Sequence, residues 1–114
     1  MSAYMHYPGI DGEANGIYYR WIELINVQFP RGRDGGEIVC TKEQDSSSVG
    51  LHRAAQVGTA ADVEIHLTSG LKPGEAAYLK LTLKSAFITG YNLSGSVGSG
   101  SVIESLTLNF AKAQ

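Results

Sequence analysis

Glu64 and His66 stand two residues apart in a run where polar and apolar residues alternate, which puts both side chains on one strand face. A carboxylate beside an imidazole can begin a metal site, but zinc needs a further protein ligand and the sequence offers none at a metal-binding spacing. The two therefore read as exposed polar residues of a cross-strand pairing. Cys40, the single cysteine, precedes Thr41 on a short apolar stretch. A thiol there acts as a nucleophile only beside a histidine, so burial as a small apolar residue is the simpler reading. Gly95, Gly98 and Gly100 within Ser94–Ser101 have the composition of a phosphate-cradling loop, yet no lysine follows and no helix opens after them. Asp11 and Glu13 flank Gly12 as solvated turn carboxylates do, rather than as an acid and a base. Arg31, Arg33 and Asp34 form a mixed-charge loop: a solvated surface or, on a sharper reading, a place where two copies meet. None of these groups assembles into an active site, and the sequence predicts no enzyme, no cofactor and no metal.

The elements that must position these residues are mostly strands, because period-two alternation dominates and long helical periodicity is nearly absent. Tyr4–Tyr7 reads as a short strand closed by the turn dipeptides Pro8-Gly9 and Asp11-Gly12. Ile17–Phe29 reads as one long strand with a bulge at Trp21-Ile22, followed by a surface loop over Pro30–Glu37 and a short strand at Ile38–Thr41. Asp45–Gly58 is the one helix: Asp45 or a following serine caps its free N–H groups, and Gly58 supplies a left-handed stop. Leu51, Ala54 and Ala55 share its packing face, while His52, Arg53 and Gln56 turn to solvent. Gly50 inside it costs about 1 kcal/mol relative to alanine, so the helix must lean on tertiary contacts.

Farther on, Val63, Ile65 and Leu67 alternate with Glu64, His66 and Thr68, and Leu79, Leu81 and Leu83 alternate with Lys80, Thr82 and Lys84. The second of these strands continues through Phe87, Ile88 and Tyr91, which predicts a bend or a change of sheet near Ser85 or Gly90. Ser94–Ser101 is then a hairpin loop, and Leu106, Leu108 and Phe110 give the last strand its buried face, pairing Val102–Ala111 with Leu79–Tyr91.

Composition sets the outer bounds. A chain of 114 residues that is 43% hydrophobic buries one core, so 1–114 reads as a single domain. Only 18% of the residues are charged, against about 25% in typical domains, which suits subunits that cover one another. Nine basic and eleven acidic residues give a net charge of -2, leaving no basic field for nucleic acid or anionic lipid. No stretch approaches the roughly 18 apolar residues of a membrane span. Met1–Ile10 lacks the basic start and apolar run of a signal peptide, so export would need another route. A lone cysteine makes no internal disulfide, consistent with folding in a reducing compartment.

With the strands placed, the sequence resembles the haemolysin-coregulated protein (Hcp) family. GIDGEANG (Gly9–Gly16) is similar to the family's opening turn and WIELINVQF (Trp21–Phe29) to its first long strand. TKEQDSSSVGLHRAAQVG (Thr41–Gly58) resembles its helix region, with Asp45, Ser48, Leu51 and Gly58 at matching positions. AYLKLTLKSAFITGYNLSG (Ala77–Gly95) and VIESLTLNFAKAQ (Val102–Gln114) complete the match, including the glutamate-then-LNFA ending. The chain departs from the family in its brief Pro30–Glu37 loop, in Val49 where a proline often opens the helix, and in stopping at Gln114 where relatives continue into a further strand.

The resemblance implies a small β-barrel of two antiparallel sheets flanked by one short helix, six copies closing into a ring. The rings would stack into the inner tube of the bacterial type VI secretion system, contacting sheath and spike proteins and carrying effector proteins in the lumen. Arg31, Arg33 and Asp34 would lie in the ring-stacking loop. The protein would start in the bacterial cytoplasm and leave without a signal peptide. The early stop would leave a sheet edge for a neighbour to cover. A monomeric β-sandwich module binding a small molecule or peptide is the alternative from composition alone.

Overall fold

A computed structural model describes residues 2–14, 16–28, 36–68, 79–95 and 102–113. Strand β1 (Ser2–His6) buries Ala3 and Met5 by alternation, and Tyr7 continues the same face. After it come a 3-10 turn at Gly16–Tyr18, strands β2 (Ile22–Leu24), β3 (Asn26–Gln28) and β4 (Gly36–Glu43), and helix α1 (Ser48–Val57). Strands β5 (Ala61–Thr68), β6 (Leu79–Gly95), β7 (Val102–Phe110) and β8 (Lys112–Ala113) complete the described chain. The fold is mainly β and antiparallel, with one α-helix among the described residues.

The strands form one hydrogen-bonded order, β2-β1-β5-β6-β7-β4-β3, with β8 added beside β6. Long strand β6 makes this possible, because Leu79–Ala86 pairs with β5 and Phe87–Gly95 with β7. The change of partner falls where Ser85 takes a left-handed φ of 53° and just before a register shift between Ile88 and Gly90, the region where the sequence predicted a bend. What the sequence suggested as two sheets is thus one order with two halves sharing β6. Its two ends, β2 and β3, are consecutive in the chain, and the Ile25 N–H between them donates to the Thr41 carbonyl at 2.6 Å.

The expected strand over Ile17–Phe29 is divided into three pieces. Gly12 explains the first division: its N–H donates to the Arg20 carbonyl at 2.7 Å, and a Cβ there would lie 2.5 Å from the Trp21 carbonyl oxygen. Only glycine lets the 11–14 segment lie so close to Trp21. Arg20, held at a φ of 65° with its N–H on the Ala14 carbonyl, ends the turn before β2 begins. The second division falls at Ile25, where β2 leaves β1 as partner and β3 takes up β4.

Strand β4 is twice the length the sequence suggested and pairs along all of it with β7. The hairpin partner of β7 is the second half of β6, not Leu79–Tyr91, and Leu79 is exposed where alternation had placed it inside. The expected open edge does not fall on β7, although β8 has β6 as its one strand partner among the described residues. β7 is flanked by β4 and β6, and after it Ala111 N–H donates to the Lys84 carbonyl while β8 pairs with Leu83 and Lys84. The core gathers Met5, Ile22, Ile38, Leu51, Ile65, Leu83, Leu106 and Leu108, all fully buried, from both halves of the sheet and from α1.

Candidate functional site

Two side-chain clusters sit on this frame, and neither is an active site. The first fastens α1. Period two carries the buried stripe of β4 from Ile38 and Cys40 to Lys42, and that of β7 from Phe110, Leu108 and Leu106 to Glu104. The register sets Lys42 opposite Glu104, and both are fully buried. Lys42 Nζ donates to Glu104 Oε1 at 2.6 Å, to Asp45 Oδ1 at 2.9 Å and to the Glu43 carbonyl at 2.8 Å, with Ser48 Oγ at 3.4 Å. Tyr91 OH, from β6, donates to Glu104 Oε2 at 2.6 Å. Burial, then the Glu104 carboxylate, pushes the Tyr91 phenol well above its ordinary range, so it stays a proton donor.

Asp45 and Ser48 join this network in ways the sequence did not show. Asp45 does not cap the helix: its Oδ1 takes Lys42 and accepts from the Ser47 N–H at 2.9 Å and from the Ser47 hydroxyl. The buried ammonium holds the carboxylate there. Ser47 is the residue at the N-cap, without a side-chain bond to the helix, and Ser48 Oγ accepts instead from the Asp45 N–H at 3.0 Å. Leu51 is fully buried, and Ala54 and Ala55 pack against the core beside it. Gly58 stands at a φ of 75° with its N–H on the Ala54 carbonyl, a left-handed helix end.

The second cluster covers the outer face of β1 and β5. Tyr18 stacks on Tyr4 with centroids 4.3 Å apart and meets Trp21 edge-on at 5.0 Å. Trp21 in turn lies 4.7 Å from His66 and 5.2 Å from His6. Tyr18 OH is 3.2 Å from His66 Nδ1, while Glu64 Oε2 is 3.5 Å from Nε2 on the other side of the ring. His66 is therefore no exposed polar residue. The turn at Gly16–Tyr18 folds over it, and this desolvation holds its pKa below the ordinary value.

The other chemistry-bearing residues stay apart. Cys40 is buried on β4, and burial pushes its thiol up to about 12, which leaves no thiolate for nucleophilic work. Asp11 meets Arg20 at 3.6 Å in an exposed pair, and Glu13 accepts from the Ser46 N–H at 2.5 Å. Arg31, Arg33, Asp34 and the glycines of 96–101 lie outside the described residues. Among the described residues no group of three or more His, Cys, Asp or Glu is placed to hold a metal, and no helix is long and apolar enough to cross a membrane. Lys42, Glu104, Tyr91, Tyr18 and Trp21 were missed as interacting groups. For Lys42 and Glu104 the signal was present, since each extends an apolar period-two stripe with a charge of opposite sign.

No curated protein sequence matches the chain significantly. Solved structures do. Hcp1 from Salmonella typhimurium superposes with a TM-score of 0.83 at 20% identity, over 98% of this chain and 83% of that one. A type VI secretion system effector from Yersinia pestis gives 0.81 at 18% identity, over 97% and 85% of the two chains. The baseplate of the anti-feeding prophage contains a more distant likeness, with a TM-score of 0.55 at 15% identity over 100% and 76%. At these identities the structures establish the fold, and the family comes from the sequence profile described as "Type VI secretion system effector, Hcp", which matches residues 4–114. The buried Lys42–Glu104 junction and the aromatic cover thus belong to the scaffold of a protein built to assemble rather than to catalyse, and the chain is a member of the Hcp family of the type VI secretion system.

Proposed function

We propose that the 114 residues form one tube-subunit domain: six copies close into a ring, and rings stack into the inner tube of a type VI secretion system. The family match over residues 4–114 carries this reading. Three features support it: a scaffold without a reactive centre among the described residues, a low share of charge, and apolar side chains on the outer surface at Ile17, Tyr19, Ile25, Val49, Val57 and Leu93. Asp45, Ser48, Leu51 and Gly58 serve as scaffold residues that hold α1 in place. Arg31, Arg33 and Asp34 serve ring stacking. The tube is assembled in the bacterial cytoplasm against sheath and spike proteins and is expelled with effector proteins in its lumen. Negative-stain microscopy of the purified chain tests the reading. Six-fold rings are the expected result, and monodisperse particles of single-subunit size would contradict it in favour of a monomeric binding module.

A further inference from the structure

Helix α1 presents an outer stripe that stays exposed among the described residues. Val49, Arg53 and Val57 recur at intervals of four, so they line one helix face over about 12 Å. The two valines are 71% and 68% exposed, and Arg53 has no acidic partner among the described residues. The opposite face is fixed by Leu51, which is fully buried, so the stripe faces outward.

A surface of complementary character lies elsewhere on the same chain. Buried Leu24 and the exposed Ile25 are the apolar residues lining a largely polar cleft of about 410 Å³. Its walls carry Glu13, Glu23, Glu43 and Asp45. Asp45 is held by Lys42, and Glu13 accepts from the Ser46 N–H. Glu23 and Glu43 are exposed and have no cationic partner among the described residues. One exposed isoleucine in a cleft that also holds two uncompensated carboxylates fits a ridge that carries apolar side chains and one central cation. The stripe of α1 is such a ridge. It cannot reach the cleft of its own chain, because only two residues separate Asp45 in the cleft wall from Ser48 at the helix start, and Leu51 pins the stripe away from the sheet.

We infer that the Val49–Arg53–Val57 stripe of α1 docks into the Ile25 cleft of a second copy, with Arg53 seated between Glu23 and Glu43. The inference rests on the tube-subunit reading and names a contact for it. Because stripe and cleft are different surfaces, the contact is head-to-tail, the kind that closes into rings instead of stopping at a two-fold dimer. Opposite charges at its centre set the register, and the valines and Ile25 supply the area removed from water.

Charge reversal tests the contact. Sedimentation velocity would compare the wild-type chain with Arg53→Glu, Glu43→Arg and the double variant, each first shown to be folded by circular dichroism. Both changes are at exposed positions, and the double variant guards against misfolding as the cause of a loss. Each single reversal is expected to raise the apparent dissociation constant of the assembly at least about tenfold, and the double variant to return it near the wild-type value. Mixing the two single variants should also restore assembly, because each then offers the other a matched charge. If the wild type assembles and Arg53→Glu assembles equally well, or if the double variant fails to recover, the contact is overturned while the tube reading stands. A wild-type chain that stays near 12.2 kDa overturns the tube reading, and the contact with it.

Discussion

The two clusters on this scaffold answer the same problem, attaching a short element that is not a strand to a sheet, with opposite chemistry. At the junction of α1, a fully buried lysine is bonded to two carboxylates and roofed by a phenol. At the aromatic cover, Tyr18 and Trp21 lay neutral rings over Tyr4, His6 and His66. A buried ion pair is costly to create but far more costly to break, because removing one partner strands the other charge away from water. Stacked rings lose strength gradually, contact by contact. The junction should therefore fail abruptly and the cover by degrees.

Breaking one side of the junction should have the largest effect. Glu104→Ala leaves Lys42 buried with Asp45 as its one carboxylate and should cost about 3–5 kcal/mol in chemical denaturation, with Lys42→Met comparable. The double variant Lys42→Met/Glu104→Leu should cost less than either single change, since no fully buried charge is then stranded and only Asp45, partly exposed, loses its cation. A double variant worse than both singles would mean that the pair contributes net stability in its own right. On the apolar side of the same junction, Leu51→Ala removes a fully buried side chain and should cost about 2–5 kcal/mol. A loss below about 0.5 kcal/mol would show that α1 is held by the polar network without help from Leu51.

The cover should respond to pH, and more gently. Burial under Tyr18 and Trp21 holds the His66 imidazole below its ordinary 6.5, against the pull of Glu64 and with the push of Lys80. As pH falls through 6.5 the unfolded chain takes up the proton before the folded one does. The stability that His66 contributes is thus fully present above that value and declines below it. Between about pH 7.5 and 5 the wild type should lose more stability than His66→Gln. Identical pH profiles for the two proteins would place His66 in water and undo the contrast between cover and junction.

Much of the scaffold was legible because alternation is a strong signal when one face is buried. Val63, Ile65 and Leu67 are buried as their period demands, as are Leu106, Leu108 and Phe110, and the bend in β6 was foreseen from a strand too long to stay straight. The helix was legible from its apolar face and its terminal glycine, and a serine after Asp45 does stand at its N-cap, though without a side-chain bond to the helix. Asp45 follows the local rule for an N-cap residue, yet in the fold a distant partner on β4 claims its carboxylate. Ile17–Phe29 misled for a similar reason. Its apolar content is that of a strand, while its shape is set by Gly12, five residues before it begins, whose bareness admits a backbone contact that no pattern within the run encodes. The aromatic cover was invisible for want of that turn: until Tyr18 and Trp21 are folded back, His66 reads as a solvated strand residue. The docking stripe was not legible in the sequence, since Val49 and Val57 are ordinary helix residues until the burial of Leu51 fixes which face is inside.

A closed ring of repeated subunits is the proposed end state of this scaffold. Native mass spectrometry of the full chain at tens of micromolar concentration tests it most directly. A hexamer gives a dominant species at six times 12.2 kDa, and a single species at 12.2 kDa across that range would rule the ring out.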